Sequence, residues 1–405
     1  MKIQLWSCQY DPEPLGIGPI STLWAQEMKR LGHEIEVVAA HPHYPSPEWG
    51  SRLVPYREIR DGVPVTRLPL KVGRKTKRQR LIQELSYLAA LTVSSPFLGT
   101  PDALVAVSPS FPALLPAILD TRVRRIPWIL WLQDILPDGA ASTGYFEDED
   151  RTYRLSRRLE DKAYASAGKI VVLSDSFRVN LVSKGVPPSK IQLAYNPATM
   201  PVERSYRSGD WKADEPRIIC MGNVGKSQNL ASIVRAFENN ERLAESGARL
   251  VITGTGVAEA EVREASHTDR VEMLGLVSDE TLRAELNRAH LGIVTQSYEG
   301  GEFNVPSKLM NYLAIGLPAV ASVCPSGEVA RIIERSGGGW STDNRDLDQF
   351  SEAVADALAD PTELDRRSES GHRFALENLT QSAMASTFDG ALRDISNQPP
   401  PETAT

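Results

Sequence analysis

Two lysines stand where a polar, glycine-bearing loop gives way to a helix, and they are the best candidates for chemistry. In Gly222-Asn-Val-Gly-Lys226 the loop follows an apolar run, Arg217–Met221, and leads into a helix reaching about Asn239. A strand, a Gly-x-x-Gly-Lys turn and a helix start make a phosphate cradle, because free backbone N–H groups, the positive end of the helix dipole and an ammonium converge. The turn is not a Walker A loop, which reads Gly-x-x-x-x-Gly-Lys-Ser/Thr; here two residues separate the glycines. Lys226 is either the phosphate cation of this cradle or a plain surface lysine. In Glu299-Gly-Gly-Glu-Phe-Asn-Val-Pro-Ser-Lys308 an acidic loop follows the strand His290–Gln296. It opens a helix from about Pro306 to Ile315, stopped by Gly316 with Pro318 beyond. Lys308 puts a cation in the first turn, where the dipole prefers an anion, and a bound phosphate resolves that mismatch.

The first half of the chain carries candidates of another kind. Gly16-Ile-Gly18-Pro19 precedes a helix with Leu23, Trp24, Met28 and Leu31 on one face, ended by Gly32. It is a poor dinucleotide fingerprint: the third glycine position is Ser21, and the second strand, Glu34–Ala40, runs into His41 with no acid for a ribose. It reads as a flexible glycine loop or as a loop touching a sugar or phosphate. His41-Pro-His43-Tyr44-Pro45 lies at the carboxyl end of that second strand, and Asp134 where the strand Pro127–Gln133 stops. Sheets of alternating strands and helices bind ligands at that edge. The plainer readings are a structural turn with solvent-facing histidines and an aspartate capping a turn. No third metal ligand lies near His41 and His43. Glu147-Asp-Glu-Asp150 reads as capping charge ahead of a helix, so no metal site is expected.

Positioning these residues requires two α/β series. Apolar runs predict strands at Ile3–Cys8, Glu34–Ala40, Val63–Leu70, Asp102–Ser108, Pro127–Gln133, Lys169–Leu173 and Ile191–Tyr195. After a polar stretch the series resumes at Arg217–Met221, Arg249–Thr253, Val271–Leu274, His290–Gln296 and Ala319–Val323. The expected division is 1–197, a linker 198–214, 215–380, a last helix 381–396 and a disordered tail 397–405. At 405 residues, 41% hydrophobic and 24% charged, the composition is that of a soluble globular protein. A net charge of −7 argues against a nucleic-acid binder. Three widely spaced cysteines predict neither disulfides nor a zinc site, which fits a cytoplasmic protein. No signal peptide or transmembrane run is expected. Against the acidic background, Lys71, Arg74, Lys75, Lys77, Arg78 and Arg80 crowd ahead of an apolar helix, Leu81–Val93. Residues 71–93 read as either an interfacial membrane contact or a solvated basic loop before a core helix.

The order and spacing of these motifs resemble the retaining family 4 glycosyltransferases of the GT-B fold, in particular the bacterial branch that builds capsule, O-antigen and colanic-acid-type exopolysaccharides. The likeness rests on Gly16-Ile-Gly18-Pro19, Arg30-Leu-Gly-His-Glu-Ile-Glu-Val, His41-Pro-His-Tyr-Pro45, Gln133-Asp-Ile-Leu-Pro137 and Gly222-Asn-Val-Gly225. It continues in Glu302-Phe-Asn-Val-Pro-Ser-Lys308 with Tyr312-Leu-Ala-Ile-Gly-Leu-Pro. The resemblance implies two tandem Rossmann-like domains facing a cleft, with the last helix crossing back to the N-terminal domain. It implies a hexosyl transfer without metal or cofactor, from a UDP- or GDP-sugar bound by the C-terminal domain to a lipid-linked or saccharide acceptor bound by the N-terminal one. Asn223 and Lys226 would lie on the donor diphosphate with Lys308 adding charge, and Leu276 and Val277 near the base. Glu302 would bind sugar hydroxyls, with Phe303, Asn304 and Val305 following it beside sugar and phosphate. Gly18 would approach the diphosphate, Asp134 would stand near the anomeric carbon, and His41, His43 and Tyr44 would meet the acceptor. Many members carry a second glutamate for the ribose; its equivalent here is Asn311, a weaker grip. Two rivals stay open: a nucleotide-sugar 2-epimerase of the same fold, and a non-catalytic membrane-surface binding protein. The first acts on donor alone; the second binds no nucleotide.

Overall fold

The computed structural model describes residues 1–44, 49–73, 76–108, 114–134, 151–206, 215–297 and 307–397, with the backbone alone for Lys77 and for 151–156. The chain divides into two compact units: Met1–Asn196 with the segment from Gln381, and Pro197–Thr380.

The first unit is built on β1 (Lys2–Ser7), β2 (Glu34–Ala40), β3 (Tyr56–Arg60), β4 (Val63–Leu68), β5 (Ala103–Ser108), β6 (Trp128–Leu132), β7 (Lys169–Val172) and β8 (Ile191–Leu193). They lie in the order β3-β4-β2-β1-β5-β6-β7-β8. Every neighbouring pair is parallel except β3–β4. Every residue of β5 and β6 is buried, as apolar runs covered by helices on both faces require. Three helices of this unit matter below: α1 (Gly18–Arg30), α2 (Lys77–Ser94) and α3 (Leu114–Arg124). The last helix, Gln381–Ser396, buries Met384, Phe388, Leu392 and Ile395 at helical spacing in this core. Phe388 meets Trp131 and Trp24 at ring-centroid distances of 4.8 and 5.5 Å. His33 Nε2 lies 3.0 Å from Asp389 Oδ1. The C-terminal helix therefore returns to the N-terminal unit, as expected.

The second unit contains β9 (Arg217–Met221), β10 (Arg249–Thr253), β11 (Val271–Gly275), β12 (Leu291–Thr295), β13 (Ala319–Val323) and β14 (Gly339–Asp343). All pairs are parallel, in the order β11-β10-β9-β12-β13-β14. This is the doubly wound arrangement, and its strand order reverses direction between β9 and β12. The α/β architecture of two Rossmann-like domains is the one expected. β3, α3 and β14 were not anticipated, nor were the short helices Glu241–Glu245 and Glu259–Ala265. The connection read as a linker has no regular structure over 197–206, but it is not loose. Ser205 and Tyr206 N–H groups donate to Ile315 O at 3.1 and 3.2 Å. Arg204 reaches Ser368 and Asp365 of the helix Pro361–Asn378.

Candidate active site

At the reversal point of the second sheet the strands part. β12 pairs with β9 only at Leu291↔Ile218 and Gly292↔Ile219. Tyr312, from the helix Ser307–Ile315, fills the split. Its hydroxyl accepts from Met221 N and donates to Ile219 O, both at 3.2 Å, replacing the missing ladder bonds. Gly292 leaves room for the ring, since a Cβ there would meet Tyr312 Cδ2 at 2.6 Å. The buried phenol thereby fixes the helix that carries Lys308 against the strand that leads into Gly222.

Main-chain bonds organise the loops around that point. Gly222 N donates to Thr253 O at 2.9 Å, Val224 N to Thr255 O at 3.0 Å, Gly254 N to Gly275 O at 2.7 Å and Ser297 N to Ser227 O at 2.7 Å. Side chains at 254 and 256 would strike the carbonyls of Gly222 and Val224, so those glycines allow the loops after β9 and β10 to lie against each other. Gly222 itself has φ +101°. Asn223 and Lys226 remain exposed, and Lys226 has no side-chain partner among the described residues. Leu276, 84% exposed, and the half-buried Val277 follow β11, two strands away, roughly 10 Å across the sheet edge.

Lys308 is only 7% exposed. Its Nζ donates to Gln228 Oε1 at 2.8 Å and lies 3.8 Å from Cys220 Sγ. Gln228 closes the short 3-10 turn Lys226–Gln228. The two lysine motifs, some 80 residues apart in sequence, are thus one physical feature. Among the described residues no carboxylate pairs with Lys308. Two further buried polar atoms at this edge, Thr295 Oγ1 and Asn344 Oδ1, have no hydrogen-bond partner among those residues.

Asn311 is engaged within its own unit. Its Oδ1 accepts from Thr199 N at 3.0 Å, Met200 N at 3.2 Å and Thr199 Oγ1 at 3.1 Å, while Nδ2 donates to Thr199 Oγ1 at 2.9 Å. The amide anchors the start of the second unit. Glu302, Phe303, Asn304 and Val305 lie outside the described residues.

The corresponding edge of the first sheet centres on a residue that sequence reasoning passed over. Glu13, in Asp11-Pro-Glu-Pro14, is buried. Its Oε1 accepts from His43 N at 3.1 Å and Tyr44 N at 3.0 Å, and its Oε2 from Tyr10 N at 3.3 Å. Burial pushes its carboxyl up to about 7, against the pull of those N–H groups and of Arg67. Arg67, fully buried, makes a parallel tie from Ala40 O to Asp11 O and holds Glu58 at 2.8 Å. An acid between two prolines is the only sequence sign of this hub.

Glu13 also bears on two residues singled out in the sequence. A Cβ at Gly18 would meet Glu13 O at 2.7 Å, so that glycine is needed for packing within its own loop. His43 is buried, its Nδ1 3.3 Å from Glu13 Oε1 and 3.1 Å from His41 O; it is a member of the frame, not a solvent-facing ring. His41 and Tyr44 keep partial exposure. The His41 Nδ1 lies 3.2 Å from Tyr56 Oη, and burial with Arg52 nearby lowers its proton affinity, favouring the neutral imidazole. Asp134 is exposed just past β6, beside the reciprocal amide pair Gln133–Asn196 at 2.8 and 2.9 Å.

Comparison with known proteins agrees with this architecture. Residues 16–197 match the model of a glycosyl transferase 4-like domain and residues 215–360 that of glycosyl transferases group 1. The chain is 24% identical over 362 residues to WcaI of Escherichia coli K12, a glycosyl transferase named for colanic acid biosynthesis, covering 84% of this chain and 87% of that one. In fold it is similar to sucrose-phosphate synthase from Thermosynechococcus elongatus, with a TM-score of 0.68 at 15% identity over 97% of this chain and 98% of the other. HepE of Anabaena in complex with UDP gives 0.65 at 14% identity, over 97% and 100%. The chain belongs to the GT-B glycosyltransferases that join a glycosyl transferase 4-like domain to a group 1 domain.

Proposed function

We propose that this glycosyltransferase moves a sugar from a UDP- or GDP-linked donor to a lipid-linked or polysaccharide-precursor acceptor, with retained anomeric configuration and without a metal ion. One observation carries the reading. Lys308 is a buried ammonium without a carboxylate among the described residues, tied through Gln228 to the Gly222–Lys226 loop where the sheet reverses. A buried ammonium is costly without a counter-charge, and an anion such as a diphosphate offsets that cost. Strand order puts this point at the ligand crevice of a doubly wound sheet.

The donor's anomeric C–O bond breaks and its electron pair passes to the diphosphate. The acceptor oxygen bonds to the same carbon, and its proton passes to the departing phosphate oxygen. Lys226, Lys308, Asn223 and the loop N–H groups stabilise the charge that builds on the leaving group. Leu276 and Val277 carry the base, and Glu302 with Phe303, Asn304 and Val305 takes the sugar, as the family resemblance implies. Asp134, His41 and Tyr44 serve the anomeric centre and acceptor from the N-terminal unit; His43, Gly18 and Asn311 act as frame. HepE, solved with UDP, supports a uridine donor, and the name of WcaI supports an exopolysaccharide acceptor. No helix among the described residues is long and apolar enough to cross a membrane. A lipid-linked acceptor would then be met at the cytoplasmic face, with 71–93 as the contact.

Lys226→Ala is expected to cut turnover by about 10²-fold or more. Near wild-type turnover would remove Lys226 from the mechanism. Incubation with donor alone separates transfer from 2-epimerisation, chelation tests metal independence, and the anomeric configuration of the product tests retention.

A further inference from the structure

Helix α2 and the turn after it carry apolar side chains on both faces. Gln83, Tyr87, Leu91 and Ser95, four residues apart, face inward and are buried. Leu81, Leu85, Val93 and Phe97, on the opposite strip, are exposed. A surface helix ordinarily keeps its outer face polar. Helix α3, which packs beside α2, is also apolar on both faces: Leu114, Ala117, Asp120 and Thr121 are buried, while Leu115, Leu119 and Val123 are exposed. Phe97 is 83% and Val123 80% exposed.

The two strips are fastened together. Arg124 Nη1 donates to Asp120 Oδ2 at 3.1 Å and to Ser95 O at 3.3 Å, and Nη2 donates to Leu98 O at 3.2 Å and Thr100 Oγ1 at 2.7 Å. The half-buried guanidinium therefore locks the 3-10 turn Ser95–Phe97 to α3. The exposed apolar side chains are held on a braced surface and not on a loose flap.

Charge says what covers them. Residues 71–125 contain nine Lys and Arg against three Asp and Glu, in a chain whose net charge is −7. Exposed apolar strips set in a local excess of cations suit an anionic bilayer surface. We propose that α2, the turn after it and α3 form one platform that inserts Phe97, Val123 and their neighbours into anionic lipid. The second helix, which the 71–93 stretch does not include, is half of the docking surface. The proposal takes its place in the reaction from the lipid-linked-acceptor reading, but lipid binding is measured with no sugar transfer, so the two fail separately.

The test is co-sedimentation of the full chain with vesicles of equal phosphatidylglycerol and phosphatidylcholine, and with phosphatidylcholine alone, at low salt. Wild type should pellet with the anionic vesicles and about tenfold less with the neutral ones. Phe97→Ser with Val123→Ser keeps every charge and should weaken partition by about tenfold or more, with an unchanged melting temperature. Leu119→Ser should act in the same direction. Three results would overturn the platform: no pelleting of wild type, undiminished pelleting of the double variant, or a wild-type dimer in sedimentation velocity that the double variant abolishes. The last would assign the face to a second copy of the chain.

Discussion

The ligand edges of the two sheets are built from opposite materials. In the first unit the loops after β1 and β2 are held by buried ionisable side chains, Glu13 and Arg67, with His43 against the carboxylate. In the second unit the loops after β9, β10 and β11 are held by backbone on backbone, made possible by glycines 254 and 256. A side-chain frame is strong but responds to protons. A glycine frame has no titrating group in it and leaves Asn223 and Lys226 exposed. The same fold thus has one edge held through a titrating carboxyl and one held by shape. That division suits a donor diphosphate at the second edge, where charge builds during transfer.

The largest effect should come from breaking the glycine frame. Gly254 has φ +113°, and a Cβ there would strike the Gly222 carbonyl. Gly254→Ala is expected to displace the Gly222–Lys226 loop and to lower kcat/KM by about 10²-fold, the usual result of a misplacement near 1 Å. Gly32→Ala is the control: its φ of +89° is similarly unfavourable, but nothing lies within 4 Å of the added Cβ. It should cost about 1–2 kcal/mol of stability through backbone strain alone and leave kcat/KM unchanged. Equal kinetic losses in both variants would show that strain, and not loop contact, is the cause.

The side-chain frame should be less sensitive, and pH is the lever. Burial raises the Glu13 carboxyl from 4.5 to about 7 in the folded chain. Between those values the folded state holds the proton and the unfolded state does not, so this group's contribution to stability falls as pH rises. The change is bounded at about 3 kcal/mol between pH 4.5 and 7. Glu13→Gln removes the titration and leaves an amide facing three N–H donors, costing about 1–3 kcal/mol at pH 5. The gap between wild type and variant should narrow toward pH 7.5. Urea unfolding of both proteins at the two pH values reads it directly. A gap that stays constant would mean the Glu13 carboxyl titrates normally.

Much of this was legible because buried strands write themselves as apolar runs and glycines mark where the backbone must turn. β3 escaped notice because Tyr56-Arg-Glu-Ile-Arg60 is an edge strand with no fully buried residue, antiparallel to its one partner. β14 was hidden by Gly337-Gly-Gly339, which reads as a helix stop although its last glycine opens a strand. The phosphate-cradle motifs were visible locally, and their junction through Lys308 and Gln228 was not, since no local pattern encodes a contact 80 residues away. The same holds for Glu13, whose partners at His43 and Tyr44 lie 30 and 31 residues on.

Asn311 sharpens the comparison most finely, because it separates a frame residue from a ligand residue within one helix. Its amide accepts three bonds from Thr199 and Met200, so the question is what those donors need. They need an acceptor and not a charge. Asn311→Asp keeps the acceptor, and the Thr199 hydroxyl can turn to donate, so stability should change by less than about 1 kcal/mol. Asn311→Ala strands the donors and should cost about 1–2 kcal/mol, limited by the partial exposure of the segment. In neither variant should the donor KM move by more than about threefold, since the amide is spent inside the second unit and a contact worth tenfold would contribute about 1.4 kcal/mol. A donor KM raised tenfold by Asn311→Ala, with the unfolding midpoint unmoved, would return Asn311 to the ribose and make the anchoring of 199–200 incidental.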